Sequence, residues 1–164
     1  QLGHRKIAYL GVDNSLVFSA DRRNGYQLAL TRHGIVPKPE YCVELPSITA
    51  GEDTPVHALL RSASRPTAIV VSDDILALTL ERICTETGLS IPADLSILSF
   101  NNSLFARLTS PQLTSIDINS CQLGIEAAAQ MISHIENPEL PATKILVPHQ
   151  LIERDSCARP VSHS

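Results

Sequence analysis

Residues 68–77 read AIVVSDDILA. Four aliphatic residues run into Ser72-Asp73-Asp74, and a segment with helical apolar spacing starts at once. A short aliphatic run that ends in polar residues is the pattern of a parallel strand buried on both faces. The strand would deliver two carboxyl groups to its carboxyl end, where a helix begins. In open α/β sheets ligands bind in the crevice outside those ends. The remaining question for every other segment is whether it brings polar groups to the same edge.

The composition suits such a sheet. Of 164 residues, 43% are hydrophobic but only 4% aromatic, and there is no Trp, so the core must be built from Ile, Leu, Val and Ala. The net charge of −4 and the lack of any basic run argue against a nucleic-acid surface on these residues. No apolar run approaches a membrane span. Cys42, Cys84, Cys121 and Cys157 are widely spaced, with no CxxC and no zinc spacing, and read as reduced thiols. The chain starts without Met or a signal-peptide pattern, so it is expected to begin inside a longer protein.

Upstream of this stretch, 6–11 (KIAYLG) reads as the first strand, followed by a polar turn at Asp13-Asn14. Residues 21–33 read as a helix that ends at Gly34, with Arg22 and Arg23 in its first turn. Residues 41–45 read as a second strand, 46–54 as a loop and 55–62 as a short helix. Downstream, 74–87 reads as a helix ended by Gly88, and 95–100 as a strand leading to Asn101-Asn102. A short helix at 103–108, a strand at 113–118 and the longest helix at 121–136 follow. Strands are expected at 144–147 and 150–153, and a frayed polar tail from Asp155. This alternation predicts an α/β fold, a mostly parallel sheet flanked by helices.

Strand ends one, three and four thus contribute Asp13, Asp73, Asp74, Asn101 and Asn102, and the helix start contributes Arg22 and Arg23. Planar carboxylate, amide and guanidinium groups suit bidentate hydrogen bonding to vicinal hydroxyls, as in sugar recognition. Each residue also has a plainer role. Asp74 reads as a helix cap more readily than as a ligand contact, Asn101 and Asn102 as turn residues, and the arginines as surface ion-pair partners. The six histidines are scattered. A dinucleotide site would need G-x-G-x-x-G after the first strand, but Gly11 is followed by VDNS. A P-loop and a G-x-S-x-G elbow are also absent. A phospho-receiver has Asp13 and Asp73 in place but lacks a Lys close after the fifth strand. No catalytic residue, metal or cofactor is expected.

Several segments in order resemble one family. GHRKIAYLG, RRNGYQLAL with Gly34-Ile35, PTAIVVSDDILAL, TGLSIPADLSILSFNNS, SPQLTSIDINSCQLGIEAAAQMI and LVPHQLIERDSC are together similar to the second lobe of the LacI/GalR-family transcriptional repressors. FNNS and SPQLTSIDIN are most similar to the maltose-operon repressor branch. The resemblance covers nearly the whole chain. It implies one lobe of a periplasmic-binding-protein-like core, with an effector in the cleft between two lobes. Residues 1–119 would be the second lobe, 120–137 a helix belonging to the first lobe, 138–156 strands returning to the second, and 157–164 a flexible tail. The helix-turn-helix headpiece and most of the first lobe would lie outside this chain.

The resemblance further implies that Arg22, Asp73 and Asn101 contact the effector, with Asp13 and Asn102 as secondary contacts and Asp74 as a structural cap. Family members have Asn-Asp where this chain has Asp73-Asp74, and Asp-Asp where it has Asn101-Asn102, so amide and acid are exchanged between two strand ends. The implied partners are a small sugar, maltose-like in that branch, and DNA only through the headpiece. A second copy of the chain would pair through the segments from Ile75 to Thr87 and from Ser103 to Leu108. The implied setting is the cytoplasm, with no membrane partner. The alternative is a sugar-binding receptor of a transport system with the same fold.

Overall fold

A computed structural model of the chain describes residues 2–12, 17–46 and 54–161. Its centre is a six-stranded sheet of β1 (Ile7–Val12), β2 (Cys42–Leu45), β3 (Ala68–Val71), β4 (Ser96–Phe100), β5 (Thr114–Asp117) and β6 (Gln150–Ile152). The spatial order is β2-β1-β3-β4-β5-β6. The first five strands are parallel, and only β6 runs against its neighbour. The helices are α1 (Val17–Arg32), α2 (Thr54–Arg61), α3 (Asp74–Thr87), α4 (Leu104–Leu108) and α5 (Ser120–Glu136). After β1 the chain places β2 on one side and β3 on the other, so the strand order reverses there. That reversal opens a crevice at the carboxyl ends of β1 and β3.

The strands alternate their side chains between two cores, as the period of two requires. Ala8 and Leu10 of β1 join Ile69, Val71, Ile97 and Leu113 against α2 and α3, whose Val56, Leu60, Leu76, Leu80 and Ile83 are buried. Tyr9 faces the other way and packs with Tyr26 and Leu30 of α1. Burying each large apolar side chain contributes about 1.5–3 kcal/mol, and the aliphatic core against α2 and α3 is the larger of the two that hold the sheet.

Helix α3 begins differently from the sequence expectation. The cap is Asp73, not Asp74. Asp73 has extended backbone, and its carboxylate accepts the Leu76 N–H at 2.8 Å. Asp74 is the first helical residue and is 1% exposed. One of its oxygens accepts the hydroxyls of Ser99 at 2.5 Å and Ser115 at 2.8 Å, and the other accepts the Ser103 N–H at 2.6 Å. The Ser115 hydroxyl also accepts the Asn102 N–H at 3.0 Å. Asp74 therefore ties α3 to β4, to β5 and to the start of α4. Between Ser99 and Ser103 the chain passes through Asn101 at φ 97° and Asn102 at φ 46°. That left-handed region is one that asparagine tolerates better than most residues.

Three other expectations change. Helix α1 starts at Val17 rather than at residue 21. Residues 144–147 form no strand: Ile145 and Leu146 are exposed, and no neighbouring strand pairs with them. The tail expected to be flexible from 157 is pinned at its start. Ser156 is fully buried. Its carbonyl accepts the Ile97 N–H, its hydroxyl donates to the Ile97 carbonyl at 2.6 Å, and that hydroxyl accepts the Thr114 N–H at 2.8 Å. Ala158 exchanges hydrogen bonds with the Ser96 hydroxyl and meets His4 Nε2 at 2.7 Å. Small hydroxyl side chains here do the work of ladder partners. Helix α5 has no buried residue, and Leu123, Ile125, Met131, Ile132 and Ile135 are all exposed. Among the described residues, no helix is long and apolar enough to cross a membrane.

Asp74→Ala leaves two buried hydroxyls and one part-buried N–H without an acceptor. Each hydrogen bond to a charged group contributes about 1.5–3 kcal/mol, so urea unfolding should show a loss of about 3 kcal/mol or more, and a smaller one for Asp74→Asn. An unchanged midpoint for the alanine variant would contradict the tie. Glu81 of α3 gives a pH test. One of its oxygens is sealed from solvent with no partner among the described residues, and burial pushes its pKa up to about 7. The folded state therefore favours the neutral form, and stability falls as pH rises from about 4.5 towards 7. Glu81→Gln should melt at nearly the parent temperature at pH 5 and a few degrees above it at pH 8. A melting difference independent of pH would rule this out.

Candidate functional site

The polar groups at the carboxyl edge are gathered around Arg22. It lies on α1, and its guanidinium reaches across the strand ends. Nη1 donates to the Ser72 carbonyl at 2.5 Å and Nη2 to Asn101 Oδ1 at 3.1 Å. The cation sits 5.1 Å from the centre of the Phe18 ring and 4.7 Å from that of Phe100. Two aromatic faces and two oxygen acceptors hold the fork in one orientation. Burial holds its pKa below the ordinary arginine value, and Tyr9, Asp73 and Asp74 oppose that shift. An arginine has five N–H donors, so the two contacts leave others for a ligand.

Asp73 stands at the end of β3. One oxygen caps α3, and the other is 3.4 Å from the Ser72 hydroxyl, at the long end for a hydrogen bond. Its side chain is partly exposed, so it retains acceptor capacity towards the crevice. Asn101 accepts from Arg22 through Oδ1, and its amide N–H groups have no partner among the described residues. Arg22, Asp73 and Asn101 are therefore brought together, by α1, β3 and β4 respectively.

The other expected residues go elsewhere. Asn102 is engaged on both sides, donating to Asp117 at 2.9 Å and accepting from Arg154 at 2.5 Å. Those bonds tie the β4 end to β5 and to the chain following β6. The hydrogen bond from Asn102, then that from the Asn119 N–H, holds the Asp117 carboxyl below the usual range. Asp74 is sealed beneath the turn. Asp13 lies outside the described residues.

Sequence reasoning missed Phe18, which is half-exposed and lies one helical turn before Arg22. The i, i+4 spacing was a usable signal, but it falls outside a helix taken to start at residue 21. The plainer reading of Arg23 as a surface ion-pair partner holds: it meets Glu44 at 2.7 Å across α1 and β2, exposed enough to add little stability.

Donor fork, carboxylate, amide and two ring faces suit a polyhydroxylated molecule with an apolar side. Among the described residues no group of His, Cys, Asp or Glu is placed to hold a metal ion. The four cysteines are free, and burial pushes the Cys84 thiol up to about 12, far from a nucleophile's range. A cavity of about 220 Å³ between Ile7, Leu30, Ile35 and Tyr41 lies at the opposite, amino-terminal edge of β1, away from these groups. The chemistry marks the carboxyl edge, which these residues line from one side only.

Residues 1–157 match the family described as periplasmic binding protein-like domain. The probable HTH-type transcriptional repressor ExuR of Bacillus subtilis is 30% identical over 159 residues, 97% of this chain and 48% of that protein. The ribose operon repressor of Haemophilus influenzae is 33% identical over 136 residues, 83% of this chain and 41% of its own length. Among solved structures, a putative LacI transcriptional regulator from Bacillus cereus superposes with a TM-score of 0.88 at 36% identity, covering 96% of this chain and 56% of that one. The chain thus spans about half the length of the curated relatives it matches, and these relatives are transcriptional repressors rather than enzymes. The chain belongs to the periplasmic binding protein-like domain family, and over nearly its whole length it is similar to a LacI transcriptional regulator.

Proposed function

We propose that this chain is the second-lobe portion of the effector-binding core of a sugar-responsive transcriptional regulator. The observation that carries the reading is the convergence of Arg22, Asp73 and Asn101 on one strand-end crevice, with Phe18 and Phe100 against the guanidinium. Arg22 would take two vicinal hydroxyls, Asp73 would accept from a third, and the rings would cover the sugar's apolar face. A solved LacI-family regulator from Enterococcus faecium with bound ribose, 29% identical with a TM-score of 0.82, supports a small carbohydrate as the ligand class. The FNNS and SPQLTSIDIN stretches favour a maltose-like glucoside.

The exposed apolar face of α5 supports its assignment to a first lobe, across residues 120–137, with 138–156 leading back to the second. The effector would then close or open the lobes, and its unequal affinity for the two arrangements would bias DNA binding by a helix-turn-helix headpiece. The setting is the cytoplasm. The dimer would form through α3 and the α4 region, where Ile75, Leu104, Phe105 and Leu108 are exposed.

Calorimetry with a sugar panel on protein carrying both lobes tests the reading. A mono- or oligosaccharide should release heat, and Arg22→Ala should weaken its binding about 10–100-fold, as loss of a charge-assisted contact implies. Absence of heat with every sugar would overturn the assignment. Light scattering after size exclusion tests the dimer surface. Leu108→Glu, at a position 69% exposed, should leave the circular dichroism of the folded chain unchanged and convert dimers to monomers. Persistent dimers would place the contact elsewhere.

A further inference from the structure

The cavity of about 220 Å³ at the amino-terminal edge of the sheet lies at the far end of β1 from Arg22. Helix α1 stops there at Gly34, which takes φ 66°. The Gly34 N–H reaches the Thr31 carbonyl and the Ile35 N–H reaches the Leu30 carbonyl, so the chain turns back sharply. The turn brings Ile35 beside Leu30 and Ile7, in the core around Tyr26. Residues 36–38 then lead into a single turn at Pro39–Tyr41, where Tyr41 is buried. Ile7, Leu30, Ile35 and the Tyr41 ring give the cavity an apolar floor.

Its rim is cationic. Arg5, Lys6 and Lys38 line it, and no Asp or Glu does. All three are exposed, and none has a carboxylate partner among the described residues. Arg5 has an ordinary use: it donates to the Gly34 carbonyl at 3.2 Å, as cations do at helix carboxyl ends. The Lys38 ammonium lies 5.3 Å from the centre of the Tyr41 ring, and Lys6 has no side-chain partner among the described residues. A smaller cavity of about 140 Å³ shares Lys6 on its other side, but there Arg65 has Asp94 at 3.9 Å. Charge at that cavity is answered within the chain, and at the larger one it is not. In a chain of net charge −4, three converging cations repel one another, and an apolar wall concentrates their field. The Tyr41 hydroxyl is committed to the Ser64 carbonyl, outside the cavity. The lining side chains therefore present cations and donors, not the mixed donors and acceptors that suit a sugar.

We propose that this cavity is a second ligand site, taking a small organic anion: a carboxylate or phosphate on an apolar body the size of one six-membered ring. The oxyanion would lie between Lys6, Lys38 and the remaining donors of Arg5, and the ring on Ile7, Ile35 and Tyr41. The volume sets the size, since a cavity of about 150 Å³ takes one benzene. The site does not depend on the sugar reading. β1 has six residues and spans about 17 Å at about 3.3 Å per residue, so anion and sugar would bind together without touching.

Saturation-transfer NMR on protein carrying both lobes, with benzoate and phenyl phosphate as probes, tests the site. At least one should bind saturably with a Kd of about 1 mM or below, the range open to so small a ligand. The better of the two tells carboxylate from phosphate. Lys6→Gln combined with Lys38→Gln should weaken that binding about tenfold or more. The melting temperature should not change, because both positions are exposed. Arg22→Ala should leave the anion's affinity as it is. No saturable binding of either probe, or unchanged affinity in the double-lysine variant, would overturn the proposal. Equal binding of uncharged benzyl alcohol would remove the role of charge and overturn it too. Equal affinity for inorganic phosphate, read by competition, would reduce the site to a loose patch of cations. Loss of binding in Arg22→Ala would move the anion to the crevice, and either result would overturn the second site.

Discussion

The geometry of the crevice depends on one buried carboxyl group. Asp74 is the point where α3, β4, β5 and the approach to α4 meet, and it accepts from two hydroxyls and one backbone N–H. The two asparagines between its partners are left-handed, a conformation that local preference alone does not hold. With Ser99 and Ser103 fixed from below and the Asn102 N–H fixed through Ser115, Asn101 is the residue left facing Arg22. A polar group this deep is tolerable only when it is fully satisfied, and Asp74 is. The residues around Arg22 are thus held by the sheet rather than by the loops that carry them.

Among the described residues the crevice is one-sided. Arg22, Asp73 and Asn101 approach from the strand ends, and no second wall of polar groups faces them among the described residues. The same incompleteness appears at α5, whose aliphatic stripe covers nothing. Helix amphipathicity has value only when the apolar stripe is buried. A helix with correct periodicity and no buried residue is left without a packing partner among the described residues. A chain spanning about half of its relatives leaves room for one.

Much of this was legible in the sequence because parallel sheets write simple signals. AIVVSDD and LSILSFNN are aliphatic runs ended by polar pairs, and both became buried strands with their polar pairs at one edge. The roles within each pair were not legible. Asp73 and Asp74 look interchangeable as helix-start acids, and which one caps is decided by the serines that β4 and β5 place beneath Asp74. Asn101 and Asn102 divide in the same way. Asp117 and Arg154, distant in sequence, claim Asn102 and leave Asn101 for Arg22. The strand expected at 144–147 failed because apolar residues form a strand only beside a partner edge, and none is within reach. The tail looked polar and frayed because its anchors are hydroxyl-to-backbone bonds, which have no periodicity.

The placing of an acid at position 73 and an amide at position 101 has an electrostatic consequence at Arg22. A carboxylate at position 101 would pair directly with the guanidinium and neutralise it. Asn101 offers only an amide oxygen, Ser72 a carbonyl, and Phe18 and Phe100 their ring faces. The cation is oriented by neutral partners and keeps its charge for whatever enters the crevice. Asp73, the carboxylate that remains, is turned partly towards the α3 amide it caps. The crevice therefore presents a strong, fixed donor and a shared acceptor. The proposed sugar would have to offer adjacent oxygens to Arg22 and a single hydroxyl to Asp73, an order set at the two strand ends.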